Sequence, residues 1–194
     1  KGADLLVPKR RQVTICEIDL RDFTPFTAAA EPEEVMMVLQ EFYSTMGDII
    51  EQFGGTVEHF AGDSILIFFN APLEMENPEI QAVSAARAMR SAFKPLSDQW
   101  ARKGYKLGMG IGIAHGYATI GAIGFSGRSQ YAAIGAVTNL AARLCSLAKH
   151  DEILTTEHVV TANQCLADAE FMGEKNIKGF DRPVAVMRLI EQPA

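Results

Sequence analysis

Two apolar, β-rich segments that each carry an aspartate set the strongest limit on what this chain can fold into. The first reads Val13-Thr-Ile-Cys-Glu-Ile-Asp19-Leu; the second reads Thr56-Val-Glu-His-Phe-Ala-Gly-Asp63-Ser-Ile-Leu-Ile-Phe-Phe69. Runs this apolar are strands covered on both faces, so the sheet they build needs helices packed on it. A carboxylate at the edge of such a run is costly unless it is neutralised, and a divalent cation is the simplest agent. Taken by themselves, the two aspartates are equally a turn residue and a helix cap.

The remaining pattern supplies the helices. From Pro32, a favoured first helical residue, Val35, Val38, Phe42, Met46, Ile49 and Phe53 recur at helical spacing until Gly54-Gly55 ends the run. Residues 56–60 and 64–69 read as a hairpin with Asp63 at its turn. A second amphipathic helix is predicted over about Pro78 to Arg102, kinked or split at Pro95. The Gly-studded stretch 106–123 reads as two strands joined tightly around His115-Gly116. A third helix covers about Ala136 to Ala148. A short strand (Ile153 to Thr155), a short helix (about Glu157 to Leu166) and a last strand (Ala185 to Ile190) follow. The loop between the first strand and the first helix runs from Arg21 to Ala30. Residues 1–11 read as a linker, leaving 12–194 as one domain. Strands, hairpins and long helices in this order predict an α+β chain: a ferredoxin-like sandwich with helices on a mostly antiparallel sheet.

Charge and cysteine content exclude several roles. A net charge of −6 argues against nucleic acid as a partner. Cys16, Cys145 and Cys165 show no paired spacing and read as small buried hydrophobes of a reducing, cytoplasmic compartment. No apolar run reaches the ~18 residues of a membrane span. The start lacks both an initiator Met and a signal-peptide core, so the expectation is a piece of a longer protein, with a sensor or membrane region upstream.

A further segment carries chemistry: Tyr131-Ala-Ala-Ile-Gly-Ala-Val-Thr-Asn139-Leu-Ala-Ala-Arg143-Leu. Asn139 and Arg143 lie four apart on one helix face, where an amide and a guanidinium can orient a hydroxyl and hold an anion. A solvated polar face is the plain alternative. Lys178 and Arg128, in loop-like contexts, are either phosphate contacts or ordinary surface cations.

Taken together, these segments resemble the class III nucleotidyl cyclase catalytic domain, the adenylate and guanylate cyclase family. Its pattern is matched in order by Val13 to Thr24, Gly54 to Asp63, Gly112 to Gly116 and Ile134 to Leu144. The resemblance implies cyclisation of a nucleoside triphosphate, with ATP to 3′,5′-cyclic AMP and pyrophosphate as the leading expectation. It implies Asp19, Asp63 and the Leu20 carbonyl as ligands of two Mg²⁺ or Mn²⁺ ions. Asn139 then orients the ribose and Arg143 meets charge developing on the α-phosphate. Phe23, Thr24, Lys178 and Arg128 are expected at the triphosphate. It also implies a homodimer whose sites are shared between subunits.

Three positions depart from the family pattern. The adenine-selecting lysine falls at His59 and its partner at Ala132, which offers no side-chain hydrogen bond. This leaves open altered base choice, GTP or a pyrimidine triphosphate, and also a degenerate nucleotide-binding regulator. His59 either meets the base or packs in its hairpin. Asp22 stands where the family usually has Gly. There it either recruits metal, repels phosphate, or caps the following turn and points away.

Overall fold

The computed structural model describes residues 7–125, 128–164 and 168–190, without the side chains of Arg128 and Ser129. Strand β1 (Lys9–Arg21) is the spine of the molecule. Its even-numbered residues Cys16, Ile18 and Leu20 belong to one buried cluster; its odd-numbered Val13 and Ile15 belong to another on the opposite face. This is the period-two alternation of a strand, with both faces covered.

Helices α1 (Phe23–Ala29) and α2 (Pro32–Gln52) follow, then the hairpin of β2 (Thr56–Ala61) and β3 (Ser64–Phe69). Next come α3 (Pro78–Arg102), β4 (Gly108–Phe125) and β5 (Arg128–Ile134). The chain continues through α4 (Ala136–Leu147), β6 (Ile153–Thr156), α5 (Glu157–Ala162), β7 (Ala169–Lys175) and β8 (Val184–Leu189). The strands form one sheet in the order β2-β3-β1-β4-β6-β8-β7, with β5 paired to β4. Every pairing is antiparallel except β4 with β6. Buried residues of α2 and α3 (Phe42, Met46, Met89, Phe93 and Trp100) fill the even-numbered face of β1, and those of α4 (Val137, Leu140, Leu144) fill the odd-numbered face. The expected α+β sandwich is the fold observed. Among the described residues no helix is long and apolar enough to cross a membrane.

Four local readings need correction. The linker expected to residue 11 gives up Lys9–Arg11 to β1, where they pair with Ile120, Thr119 and Ala118 of β4. The stretch expected to turn at His115-Gly116 is one unbroken 18-residue strand. Its glycines serve close packing rather than turning. A Cβ added at Gly112 would lie 2.2 Å from both the Ala141 carbonyl oxygen and the Cys145 nitrogen of α4. Pro95 does not split α3. It sits on the exposed side of the helix, next to exposed Ser91 and Lys94, while buried Phe93 and Trp100 anchor the helix on both sides of it. Finally, the loop expected from Arg21 to Ala30 contains α1.

Gly112→Ala is therefore expected to push α4 off the sheet. The overpacking costs about 1–3 kcal/mol, a fall in melting temperature on the order of 2–10 °C. An unchanged thermal unfolding curve would contradict this reading of the contact.

Candidate active site

The site is assembled at the end of β1. Antiparallel pairing with β3 puts Asp19 opposite Ser64, the residue after the hairpin turn. The Leu20 amide donates to the Asp63 carbonyl at 3.0 Å. Two aspartates far apart in the chain thus come to one end of the sheet, next to the Leu20 backbone. Both are half-buried.

Arg21 completes the local charge set. Its Nη1 donates to Asp19 Oδ1 at 2.7 Å, and its Nε donates to the Ala148 carbonyl at 3.0 Å. Its other terminal nitrogen donates to the Cys145 carbonyl. The guanidinium therefore sits on the last carbonyls of α4, where the helix dipole favours a cation. It lies flat over Gly110, where a Cβ would come within 2.2 Å of Nη2.

The face carries more negative than positive charge. Burial raises Asp19 to about 6; Arg21 opposes that rise and Asp63 adds to it. Glu17, two residues earlier on the same face, is pushed up to about 7 by burial, helped by Asp19 and Glu58. One guanidinium does not balance this group. Hard oxygen donors with charge to spare fit Mg²⁺ or Mn²⁺ better than a soft metal. Asp19, Asp63 and the Leu20 carbonyl make a suitable donor set.

Glu17 binds its proton more tightly folded than unfolded, so its contribution to stability falls as pH rises from 4.5 toward about 7. Carboxylates held low by their partners, such as Glu152, act with the opposite sign. A difference between variants isolates Glu17. In chelator, Glu17→Gln is expected to raise the melting temperature more at pH 8 than at pH 5. An equal gain at both would show that Glu17 ionises as it does in water.

The other expected site residues lie around this core. Phe23 and Thr24 open α1 directly after the aspartate strand. Phe23 is half-buried, with its ring centroid 5.9 Å from that of Phe26, and Thr24 is exposed. Asp22 is in the left-handed region at φ 62°, which accounts for a preference for Gly there and is tolerated by Asp. The expectation that it caps the next turn is corrected: no side-chain cap forms, and Asp22 Oδ2 lies 2.9 Å from His150 Nε2.

Asn139 and Arg143 are both exposed on α4. At 100° per residue they lie on the side of the helix opposite Val137, Ala141, Leu144 and Cys145, which face the sheet. In a single chain they turn away from Asp19 and Asp63. Lys178 is exposed in the turn between β7 and β8, across the sheet from the β2–β3 hairpin. Arg128 opens β5, and its side chain lies outside the described residues. His59 is exposed beside a bulge between Val57 and His59, where it pairs with Leu66 of β3; Ala132 is buried on β5.

The bulge turns Glu58 inward, where its Oε1 accepts from the Ala133 amide at 3.2 Å. Burial raises its pKa despite that bond. Glu58, Glu17 and Arg21 were not singled out from sequence. The signal for the last two was parity: residues 17, 19 and 21 alternate along one strand and share a face. A bulge leaves no comparable trace.

Two half-buried aspartates thus lie at one end of the sheet, and α4 presents an amide and a guanidinium outward. The adenylate and guanylate cyclase catalytic domain model matches residues 6–189, and the chain belongs to that family. It is a nucleotidyl cyclase catalytic domain, a phosphorus–oxygen lyase. The crystal structure of the adenylyl cyclase CyaB from P. aeruginosa superposes with a TM-score of 0.92 at 31% identity, covering 97% of this chain and 98% of that one. The guanylyl cyclase Cya2 superposes at 0.86 with 32% identity, covering 96% of each chain. An adenylate cyclase of Anabaena cylindrica is 32% identical over 80% of this chain and 31% of its own length. An uncharacterized protein of Mycobacterium tuberculosis is 30% identical over 95% of this chain and 32% of its own length. The chain thus spans about a third of the length of these last two relatives.

Proposed function

We propose that two copies of this chain form a homodimer that converts ATP to 3′,5′-cyclic AMP and pyrophosphate. The observation that carries this reading is the outward orientation of Asn139 and Arg143, away from the aspartates of their own chain. A two-fold pairing brings the α4 face of one chain over the cation cradle of its twin.

In the composite site Asp19, Asp63 and the Leu20 carbonyl of one chain would hold two Mg²⁺ or Mn²⁺ ions. When bound, such ions neutralise triphosphate charge and lower the pKa of a coordinated hydroxyl. Asn139 of the other chain orients the ribose so that its 3′-oxygen faces the α-phosphorus in line. The 3′-oxygen–phosphorus bond forms, the bond to the β-phosphate oxygen breaks, and the hydroxyl proton leaves to solvent. Arg143 stabilises charge building on the α-phosphate oxygens. Phe23, Thr24, Lys178 and Arg128 line the path of the leaving pyrophosphate. A nucleoside triphosphate substrate places the domain in the cytoplasm as a source of a second messenger.

The adenylyl cyclases among the similar proteins support ATP. GTP is the second reading, favoured by the likeness to Cya2 and by the lack of a lysine at 59. The test is incubation of the purified domain with Mn²⁺ and each of the four ribonucleoside triphosphates, with products identified by mass. Cyclic AMP as the main product is expected. A dominant cyclic GMP signal would move the assignment to the second reading, and no cyclic product from any of the four would overturn both.

A further inference from the structure

The opposite face of the sheet carries a second cluster of ligating side chains, far from the aspartates. Glu79 is the second residue of α3, His115 lies in β4 and His158 is the second residue of α5. His115 pairs with Thr14 across the β1–β4 ladder, five residues from the Asp19–Gly110 pair. That is about 17 Å along the strands. Thr14 has even parity on β1 and Asp19 odd, so the two clusters are also on different faces.

The geometry of this cluster suits a metal. Glu79 Oε1 is 3.3 Å from His115 Nδ1 and 3.7 Å from His158 Nε2. One ligand atom from each residue lies within 4.8 Å of the others; among the described residues this is the one group of three or more His, Cys, Asp or Glu so placed. Around a tetrahedral zinc, with bonds near 2.0–2.1 Å, neighbouring ligand atoms sit about 3.3 Å apart. The two distances to Glu79 are already close to that edge length.

The His115 and Glu79 side chains are 8% and 14% exposed, and that of His158 is 64%. Two ligands are therefore buried and the third lies at the surface. The rings of His115 and His158 stack at 5.2 Å between centroids. The fully buried Thr14 hydroxyl sits 2.9 Å from the same His115 Nδ1 that faces Glu79, and an ion bound to that nitrogen takes the lone pair the hydroxyl would otherwise use. Among the described residues the Glu79 carboxylate pairs with the two imidazoles. A mostly buried carboxylate facing two imidazoles lacks a fixed positive charge, and a cation supplies one.

We propose that Glu79, His115 and His158 bind one Zn²⁺, with water in the fourth position. Two imidazoles and a carboxylate select zinc-class ions over Mg²⁺, which prefers oxygen donors. Because the ligands come from α3, β4 and α5, the ion staples two helix starts to the central strand. The site stands apart from catalysis and does not depend on which nucleotide is cyclised.

The test uses the whole chain, stripped with chelator and dialysed against Zn²⁺ with excess Mg²⁺ present to occupy oxygen-rich sites. Elemental analysis is expected to give one zinc per chain, and Co²⁺ in its place is expected to give the intense visible bands of a tetrahedral site. His158→Ala removes a ligand at the surface and is expected to weaken zinc binding by more than the roughly 10–100-fold that loss of an outer-shell partner costs. Zinc is also expected to raise the melting temperature of the wild type but not of His158→Ala. Asp63→Asn is expected to leave the zinc content unchanged. Zinc retained in His158→Ala, lost in Asp63→Asn, or absent from the wild type would overturn the assignment; a histidine–carboxylate contact without an ion would then account for the cluster.

Discussion

Arg143→Ala is expected to lower turnover on the order of 10²–10³-fold, the typical cost of removing one donor aimed at developing negative charge. The Michaelis constant for the triphosphate is expected to move little, because the guanidinium meets charge that exists mainly in the transition state. Stability is expected to stay within about 0.5 kcal/mol of wild type, since Arg143 is exposed and the core side of α4 is formed by Val137, Leu140, Ala141 and Leu144. Steady-state kinetics on the purified variant, beside a thermal unfolding curve, checks all three. An equal loss in affinity and turnover would assign Arg143 to ground-state binding instead.

Asp63→Asn is expected to lose activity while keeping or gaining stability in the metal-free protein. Removing a charged ligand for the activating ions is expected to cost several kcal/mol of transition-state stabilisation, or roughly 10³-fold in turnover. In metal-free protein the same change relieves repulsion, since the Asp63 charge raises the pKa of both Asp19 and Tyr43. The hydrogen bond that fixes the hairpin to β1 uses the Asp63 backbone carbonyl and survives. The melting temperature in chelator is thus expected to be unchanged or higher, while added Mn²⁺ raises it less than in wild type. A variant that unfolds more easily in chelator would show that Asp63 is a structural anchor. Sites that hold like charges together for function commonly cost stability in this way.

The long amphipathic helices were legible because their pattern depends on local spacing alone. In α2 the apolar residues recur on one face, Pro32 opens the helix, and a Glu31–Glu34 capping box adds to the start. The β2–β3 hairpin was legible because Gly62, at φ +62°, marks the turn. Elements that depend on distant partners were not. The Gly-rich β4 imitates a turn, since the reason for Gly112 is the backbone of α4, which the local sequence does not contain. Strand β7 is a mostly exposed edge mixing charged and apolar residues, with no alternation to read. Helix α1 is only seven residues long and includes Pro25.

The site divides along the same line. Asp19 and Asp63 were recognisable as charges in apolar runs. Their meeting required the β1–β3 register. The polarity of the face, with Glu17, Arg21 and Glu58 around Asp19, required α4 and the bulge in β2. Sequence spacing put Asn139 and Arg143 on one face of a helix. Only the packing of α4 showed that this face points away from the aspartates of its own chain.

That separation is the central claim, and mixing two defective chains tests it most directly. Asp63→Asn and Arg143→Ala chains, carrying different tags and co-expressed, are purified as the mixed dimer. Each variant alone is expected to be nearly inactive. The mixed dimer has one site with both defects and one with neither, so it is expected to recover about half of wild-type turnover. A mixed dimer no more active than the two variants measured separately would contradict a site built from two chains.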